Sequence, residues 1–483
     1  MIERAGFVPQ LAADEIVYET LTFSAGDRVL DVQVPALTEQ QIGTVIASVK
    51  SARDDVLTRF TTLEIVEVID AVVQRLLDRD DPYRQKAELL LPIVTGFDAE
   101  MIRLGLTAYL KTFRKPQLFK FLVEDFGNPL LLDAFQPRAK GGYVKAIGPQ
   151  LMTHIWAGNV PGLPLWSLVA SLLVKGGSIG KVSSAEPLFA GWVAQILAEV
   201  EPRLKDCVAV LWWRGGDEEK ERQLFDASDV VLAYGGNASL SAMQSRVPVT
   251  TRFLPYGHKM AFGLIASASL NANNAKETAY RAAFDVVNYD QQGCYSPHVL
   301  FVQRGGKVSA QDFSEYVARE LDTLEKRYPR RALSLAEQAS IESWKQKEQV
   351  SLFARSDKTV LSHGAGCWTV VYEQLQDSFS PSPLNRTLRI IAVDDFVQLI
   401  AVLSPYRKYL QTAGIAASPE DMFKLSSMLA ELGVTRITSI GSMTSPDAGW
   451  HHDGTSSLLD LVRMVDIESD AELYAENFSA YRN

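Results

Sequence analysis

From Gly142 onward one pattern recurs: a short apolar run, a glycine-containing turn, then a segment with apolar residues at helical spacing. Residues 143–147, 208–212 and 230–234 are rich in β-branched and aromatic side chains and read as strands. Residues 163–174, 190–199 and 217–225 read as the helices between them. Parallel strands need a long crossover, and a helix is the usual one, so the alternation predicts a doubly wound α/β unit, bounded here as 125–264. In such units ligands bind beyond the strands' carboxyl ends. A second α/β region is expected over 265–432, with strands at 299–302 and 388–393 and a helix at 396–402. Loops are expected at 304–307 and 378–385, and 310–347 reads as a charged amphipathic helical block. Residues 1–124 begin with a short strand-like piece. They continue as helices at 42–52, 63–77, 83–95 and 101–121, a packing and oligomerisation layer. The segment 433–483 is expected to return to the core or to an oligomer interface. There is no internal repeat.

The chain has 483 residues, 47% hydrophobic and 22% charged, enough for two to four domains and a large core. A net charge of -10 opposes binding to nucleic acid or anionic membranes, while leaving room for a local basic pocket. The three cysteines, Cys207, Cys294 and Cys367, lie far apart. They have neither a disulfide framework nor metal-ligand spacing, so no metal is expected and a reducing cytoplasm is. No signal-like apolar segment opens the chain. The most apolar window, 160–174, is broken by Pro161, Gly162 and Pro164 and is too short to span a bilayer.

Four segments carry chemistry. Cys294 follows a polar turn, Asn288-Tyr289-Asp290-Gln291-Gln292-Gly293, and precedes Pro297 and a strand. It is either an accessible nucleophile or a small buried apolar residue. Trp156-Ala157-Gly158-Asn159-Val160-Pro161-Gly162 links a strand to a helix. Its Asn159 could donate to a developing oxyanion or cap the helix. Lys181-Val182-Ser183-Ser184 ends a strand and offers a cation and two hydroxyls, groups that suit ribose and phosphate. Tyr234-Gly235-Gly236-Asn237-Ala238-Ser239 lets backbone and a helix N-terminus approach an anion, without the GxGxxG fingerprint. Beyond these, His258, Lys259 and His298 are candidate substrate-site residues, His298 as a general base. His451-His452 lacks a third ligand.

Taken in this order, the segments resemble the acyl-CoA reductase family. Its best-known member is the reductase component of the fatty-acid reductase complex that supplies aldehyde to bacterial luciferase, and the family is a branch of the aldehyde dehydrogenase superfamily. The resemblance spans about 142–467 and is strongest over 154–182, 247–265 and 290–302. It implies an aldehyde-dehydrogenase-like α/β fold, with a Rossmann-type cofactor domain, an α/β catalytic domain and a helical N-terminal region. It makes Cys294 the acylated nucleophile and Asn159 the oxyanion donor. Lys181, Ser183, Ser184, Gly235, Gly236 and Ser239 become cofactor contacts. Two departures stand out. The glutamate usual before the 388–396 strand and turn is replaced by Asn385-Arg386-Thr387. The glutamate that activates a deacylating water in hydrolytic relatives is missing from Leu254-Pro255-Tyr256-Gly257-His258-Lys259. The second departure favours an acyl-enzyme that is reduced rather than hydrolysed. Ser184 stands where an acidic residue would repel a 2′-phosphate, which leans towards NADPH, with NADH as the alternative. The implied activity is reduction of an acyl-CoA or acyl-protein thioester to an aldehyde, with coenzyme A as a leaving group. An acyl-protein synthetase subunit is the implied donor, and the chain is expected to be a homo-oligomer. The rival readings are a cysteine acyltransferase or thioesterase using Cys294 with His298, and a cofactor-binding scaffold.

Overall fold

The computed structural model describes residues 1–376 and 380–480. Of the 378–385 loop, residues 378 and 379 lie outside that range. Five parallel strands form the first large sheet, in spatial order Arg252–Tyr256, Val230–Tyr234, Leu151–Ile155, Gly177–Lys181, Val208–Leu211. Alternate residues of these strands face opposite cores, as the pleat requires. Leu151, Ile155, Ile179, Ala209, Leu211 and Val231 pack with the helix Glu39–Asp55 on one face. Met152, Val208, Val210, Val230 and Leu232 pack on the other, with Leu163–Leu173 and Phe189–Val200. Burial on both faces explains why these strands read as continuous apolar runs. The order reverses between Leu151–Ile155 and Val230–Tyr234, which makes the gap at their carboxyl ends the topological switch point.

The chain leaves this sheet through Gly257, His258 and Lys259 and enters a second one at Met260. Its seven strands run Thr359–Ser362, Thr369–Gln374, Thr387–Val393, Pro297–Gln303, Met260–Ile265, Leu410–Ala416, Arg436–Ser439, all parallel except the first. The charged block resolves into two helices, Ala310–Arg327 and Leu335–Ser351.

The structure corrects two expectations. Tyr143–Ile147 is a strand, but it pairs antiparallel with Arg463–Ile467 and Gln136–Pro137 in a separate small sheet. Tyr143 and Lys145 stay partly exposed there, which a strand buried on both faces could not tolerate. The strand-like start is also larger than expected. Ile2–Arg4, Val17–Ala25 and Arg28–Ala36 form a three-stranded sheet, with Leu30, Val32 and Val34 buried on its inner face. Among the described residues, no helix is long and apolar enough to cross a membrane.

Candidate active site

Cys294 sits after the helix Ala275–Val287 and before the strand Pro297–Gln303. The intervening turn is unusual. Tyr289, Asp290 and Gln291 all have positive φ, at 48°, 49° and 62°. Such a run costs roughly 1–2 kcal/mol per non-glycine residue, so surrounding contacts must hold it. They come from a second left-handed run, Leu384, Asn385 and Arg386, just before the strand Thr387–Val393. Arg386 donates to the Asp290 carboxylate at 2.6 Å, with both side chains buried, and also pairs with Glu325. The Gln291 amide donates to the carbonyls of Pro297 and Thr387 at 2.7 and 3.0 Å and accepts from the Thr387 N–H at 3.0 Å. Gln292 donates to the Asn385 side chain at 3.0 Å. Behind the turn, Tyr289 packs against Gly105 of the helix Ala99–Lys111, where a Cβ would lie 2.0 Å from its hydroxyl.

Cys294 opens onto a cavity of about 600 Å³ between the two sheets. Asn159, Gly235, Gly236, His258, Lys259 and His298 line the same space. Asn159 does not cap the helix Leu163–Leu173; Gly162, at φ 86°, holds that position. Instead the Asn159 amide donates to the Gln292 carbonyl at 2.7 Å, which ties the loop at the switch point to the cysteine turn. The loop itself is braced by Trp156, whose indole donates to Ser167 at 2.8 Å and whose ring lies where a Cβ on Gly180 would go. His298 is engaged on the Ser382 carbonyl at 3.3 Å, and burial lowers its pKa to about 4. Among the described residues no hydrogen bond joins it to Cys294.

Lys181, Ser183, Ser184 and Ser239 stand outside the cavity wall, along the same edge of the five-stranded sheet. Ser184 accepts from the Trp212 indole at 3.0 Å, and the Ser183 hydroxyl accepts from the Ala185 N–H at 3.2 Å. The Lys181 ammonium has no hydrogen bond or ion pair among the described residues. Burial depresses its pKa, opposed by attraction to Glu221. Cys207 is buried in the core, where desolvation pushes its thiol up to about 12.

Several site residues escaped the reading of the sequence. An aromatic wall is built from Trp166, Tyr256, His452 and Trp450, with Tyr256 stacked on His452 at 4.3 Å between ring centres. The N-terminal region adds Tyr109, Phe113 and Phe121 to it, so this layer shapes the site as well as packing against it. Gln411, at the start of the strand Leu410–Ala416, lines the same cavity as Cys294. Asp453 accepts from Gln411 at 2.6 Å and pairs with Lys259 at 3.3 Å. Burial raises the Cys294 thiol to about 11, against the opposing effects of the nearby Gln411 side chain and the charge of Arg436. Among the described residues, no cluster of three or more His, Cys, Asp or Glu side chains could hold a metal ion.

A doubly wound sheet with its switch point open, joined to a second parallel sheet that carries a cysteine at the interface, is the aldehyde dehydrogenase fold. Aldehyde dehydrogenase 21 from Physcomitrella patens superposes with a TM-score of 0.73 at 14% identity, covering 97% of this chain and 99% of that one. The NADP-dependent glyceraldehyde-3-phosphate dehydrogenase from Bacillus halodurans C-125 gives 0.72 at 14% identity, with 97% and 99% covered. The chain belongs to the Acyl-CoA reductase (LuxC) family, whose profile matches residues 57–464. It is similar to the long-chain acyl-protein thioester reductase of Aliivibrio fischeri, at 27% identity over 412 residues, 84% of this chain and 82% of the relative. It is also similar to long-chain acyl-protein thioester reductase 2 of Photobacterium leiognathi, at 24% over 444 residues, 90% and 87% respectively. The protein is therefore an oxidoreductase of the acyl thioester reductase class.

Proposed function

We propose that the protein reduces an acyl-CoA or an acyl group on a protein thiol to the aldehyde, through a thioester on Cys294. The observation that carries this reading is the setting of Cys294: on a braced turn, beside Asn159, between the aromatic cavity and the switch point of the five-stranded sheet. The Cys294 thiolate attacks the thioester carbonyl, and the donor thiol leaves as its C–S bond breaks and takes up a proton. Asn159 keeps one amide hydrogen beyond its bond to Gln292, and this hydrogen and the Cys294 N–H stabilise the oxyanion. The wall of Tyr109, Phe113, Phe121 and Trp166 suits a fatty acyl chain.

The residues at the sheet edge fit a nicotinamide dinucleotide. A methyl group on Gly235 would find its first neighbour only at 3.8 Å, so the backbone is open to a pyrophosphate. Lys181 is a half-buried cation with no ion pair among the described residues, and it offers donors to the adenosine ribose. Gly236, which caps the helix Asn237–Gln244, and Ser239 complete that edge. Arg214, exposed and only loosely paired with Glu19 at 3.7 Å, adds positive charge past the adjoining strand, and with Ser184 it favours NADPH over NADH. Bound there, the nicotinamide supplies the two-electron reduction of the thioester carbonyl, and Cys294 is the group released when the aldehyde departs.

The geometry argues against a thioesterase. His298 is turned to Ser382 and held neutral. Asp453, which reaches the cavity from the C-terminal segment, is engaged by Lys259 and Gln411 rather than free to activate water. Intact-protein mass spectrometry after incubation with long-chain acyl-CoA should show one acyl adduct, which NADPH removes with loss of absorbance at 340 nm. Cys294→Ala should carry none. An adduct retained in that variant, or thioester turnover that consumes no nicotinamide, would overturn the reading.

A further inference from the structure

We infer that Asp285 and Arg436 are positioning residues: they hold residues 441–450 as one wall of the acyl cavity and so set how well a long chain binds. The inference rests on the reading of Cys294 and its cavity as the acyl site, and it names the groups that decide chain preference there. Residues 441–450 contain neither helix nor strand, yet Thr444, Pro446, Ala448 and Trp450 line the cavity. Met443 is fully buried. A buried stretch without a ladder must find partners for its backbone elsewhere.

One carboxylate and one guanidinium supply those partners. Asp285, near the end of the helix Ala275–Val287 and wholly buried, accepts the Gly441 N–H on one oxygen at 2.6 Å and the Met443 N–H on the other at 3.1 Å. Arg436 opens the edge strand Arg436–Ser439 and donates to the carbonyls of Met443 at 2.6 Å and Ser442 at 3.1 Å. The Ser442 N–H goes to the Ser439 carbonyl at 3.1 Å, so these three residues are gripped by N–H and C=O alike. Among the described residues no ion pair joins Arg436 to a carboxylate, so its planar fork is committed to the loop. Its guanidinium also lies 5.4 Å from the centre of the Trp450 ring. At one end of the stretch, Thr444 accepts from the Asn288 side chain at 2.7 Å, where the cysteine turn begins. At the other, Gly449 lies against the helix Lys115–Phe126, where a Cβ would come within 3.2 Å of the Phe121 Cα. The wall thus runs from the cysteine turn to the helical layer, the path a long chain on Cys294 would follow. An acetyl group has no chain to lie along it. If a loosened loop holds the binding arrangement only about a tenth of the time, affinity for the long chain falls about tenfold.

The test compares two thioesters. Acylation of Cys294 by palmitoyl-CoA and by acetyl-CoA, without nicotinamide, is followed by intact-protein mass spectrometry at about pH 8, where Asp285, pushed up to about 7 by burial, is ionised. Arg436→Met removes both donors. It should raise the half-saturating concentration of palmitoyl-CoA about tenfold, the effect of one charge-assisted hydrogen bond, and that of acetyl-CoA by less than about twofold. Asp285→Asn leaves one acceptor for two N–H groups. It should give the same chain-dependent shift, several-fold in size, and it serves where Arg436→Met does not fold. Arg436→Lys separates geometry from charge. It keeps the charge that favours the Cys294 thiolate but not the fork, so its limiting rate should match wild type while half-saturation by palmitoyl-CoA stays raised. A merely structural role lowers the fraction of protein that labels and leaves both half-saturating concentrations unchanged. That result, or equal shifts for the two thioesters, overturns the inference. Wild type that takes no label from either thioester refutes the Cys294 reading itself, whereas labelled wild type with an unchanged ratio in the variants refutes the loop assignment alone.

Discussion

The buried pair of Arg386 and Asp290 makes a quantitative prediction about the cysteine turn. Both side chains are about 1% exposed, and Arg386 supplies the counter-charge to a carboxylate in the middle of three left-handed residues. In Arg386→Met, Asp290 keeps the Arg331 N–H at 3.1 Å but loses its cation. Stranding one member of a buried pair costs about 3–5 kcal/mol. Unfolding entropy near 2.1 cal/mol/K per residue amounts to about 1 kcal/mol/K for a chain of this length, so Tm should fall by roughly 3–5 °C. The strain in Tyr289, Asp290 and Gln291, roughly 3–6 kcal/mol at 1–2 per residue, is of the same size as the lost support. The turn should therefore relax locally well below Tm, and acyl labelling of Cys294 at 25 °C should slow more than the melting shift alone implies. Arg304→Met, which breaks an exposed pair with Asp394, is the control and should shift Tm by less than about 1 °C. Asp290→Asn combined with Arg386→Met removes the stranded charge and should recover part of the loss. Differential scanning calorimetry and timed mass spectrometry supply both readouts. If Arg386→Met melts within a degree of wild type and labels at the wild-type rate, the pair does not hold the turn.

Two further outcomes follow from single groups. Lys181→Met should weaken the nicotinamide cofactor by about tenfold or more, since a charge-assisted hydrogen bond contributes about 1.5–3 kcal/mol. Fluorescence titration of the cofactor and acyl labelling of Cys294 should separate, with labelling unchanged. Asp285, which accepts from Gly441 at 2.6 Å and Met443 at 3.1 Å, is pushed up to about 7 by burial. Its folded pKa is raised, so folding takes up a proton between about pH 4 and pH 7. The stability tied to that proton is full at the acidic end and lost as pH rises through 7. Asp285→Asn should flatten the dependence of Tm on pH between 5 and 8, and an unchanged slope would remove Asp285 as its source.

The sequence disclosed what each stretch needs from its own neighbours. Strands buried on both faces of a parallel sheet must be apolar throughout, so 208–211 and 230–234 were readable. The pattern does not name a partner, and Tyr143–Ile147 was assigned to the wrong sheet because its neighbour, Arg463–Ile467, lies more than 300 residues away in sequence. The site divides in the same way. From the local sequence Cys294 and Asn159 each admit two readings, and the family resemblance chooses between them, whereas Gln411 and Asp453 become visible only when two strand mouths and a distant left-handed residue meet. One signal was present: Gln411 and Thr412 are polar residues opening an otherwise apolar strand that is buried almost throughout. A polar pair in such a place needs partners, and Gln411 finds one in Asp453. The missing glutamate before residue 388 carries a related lesson. From the sequence, Asn385-Arg386-Thr387 registers only as the absence of the usual glutamate. In the structure all three brace the cysteine turn: Arg386 by charge, Asn385 through Gln292, Thr387 through Gln291. A glutamate at Arg386 would set a second carboxylate against Asp290 in a buried site and so release the turn that presents Cys294.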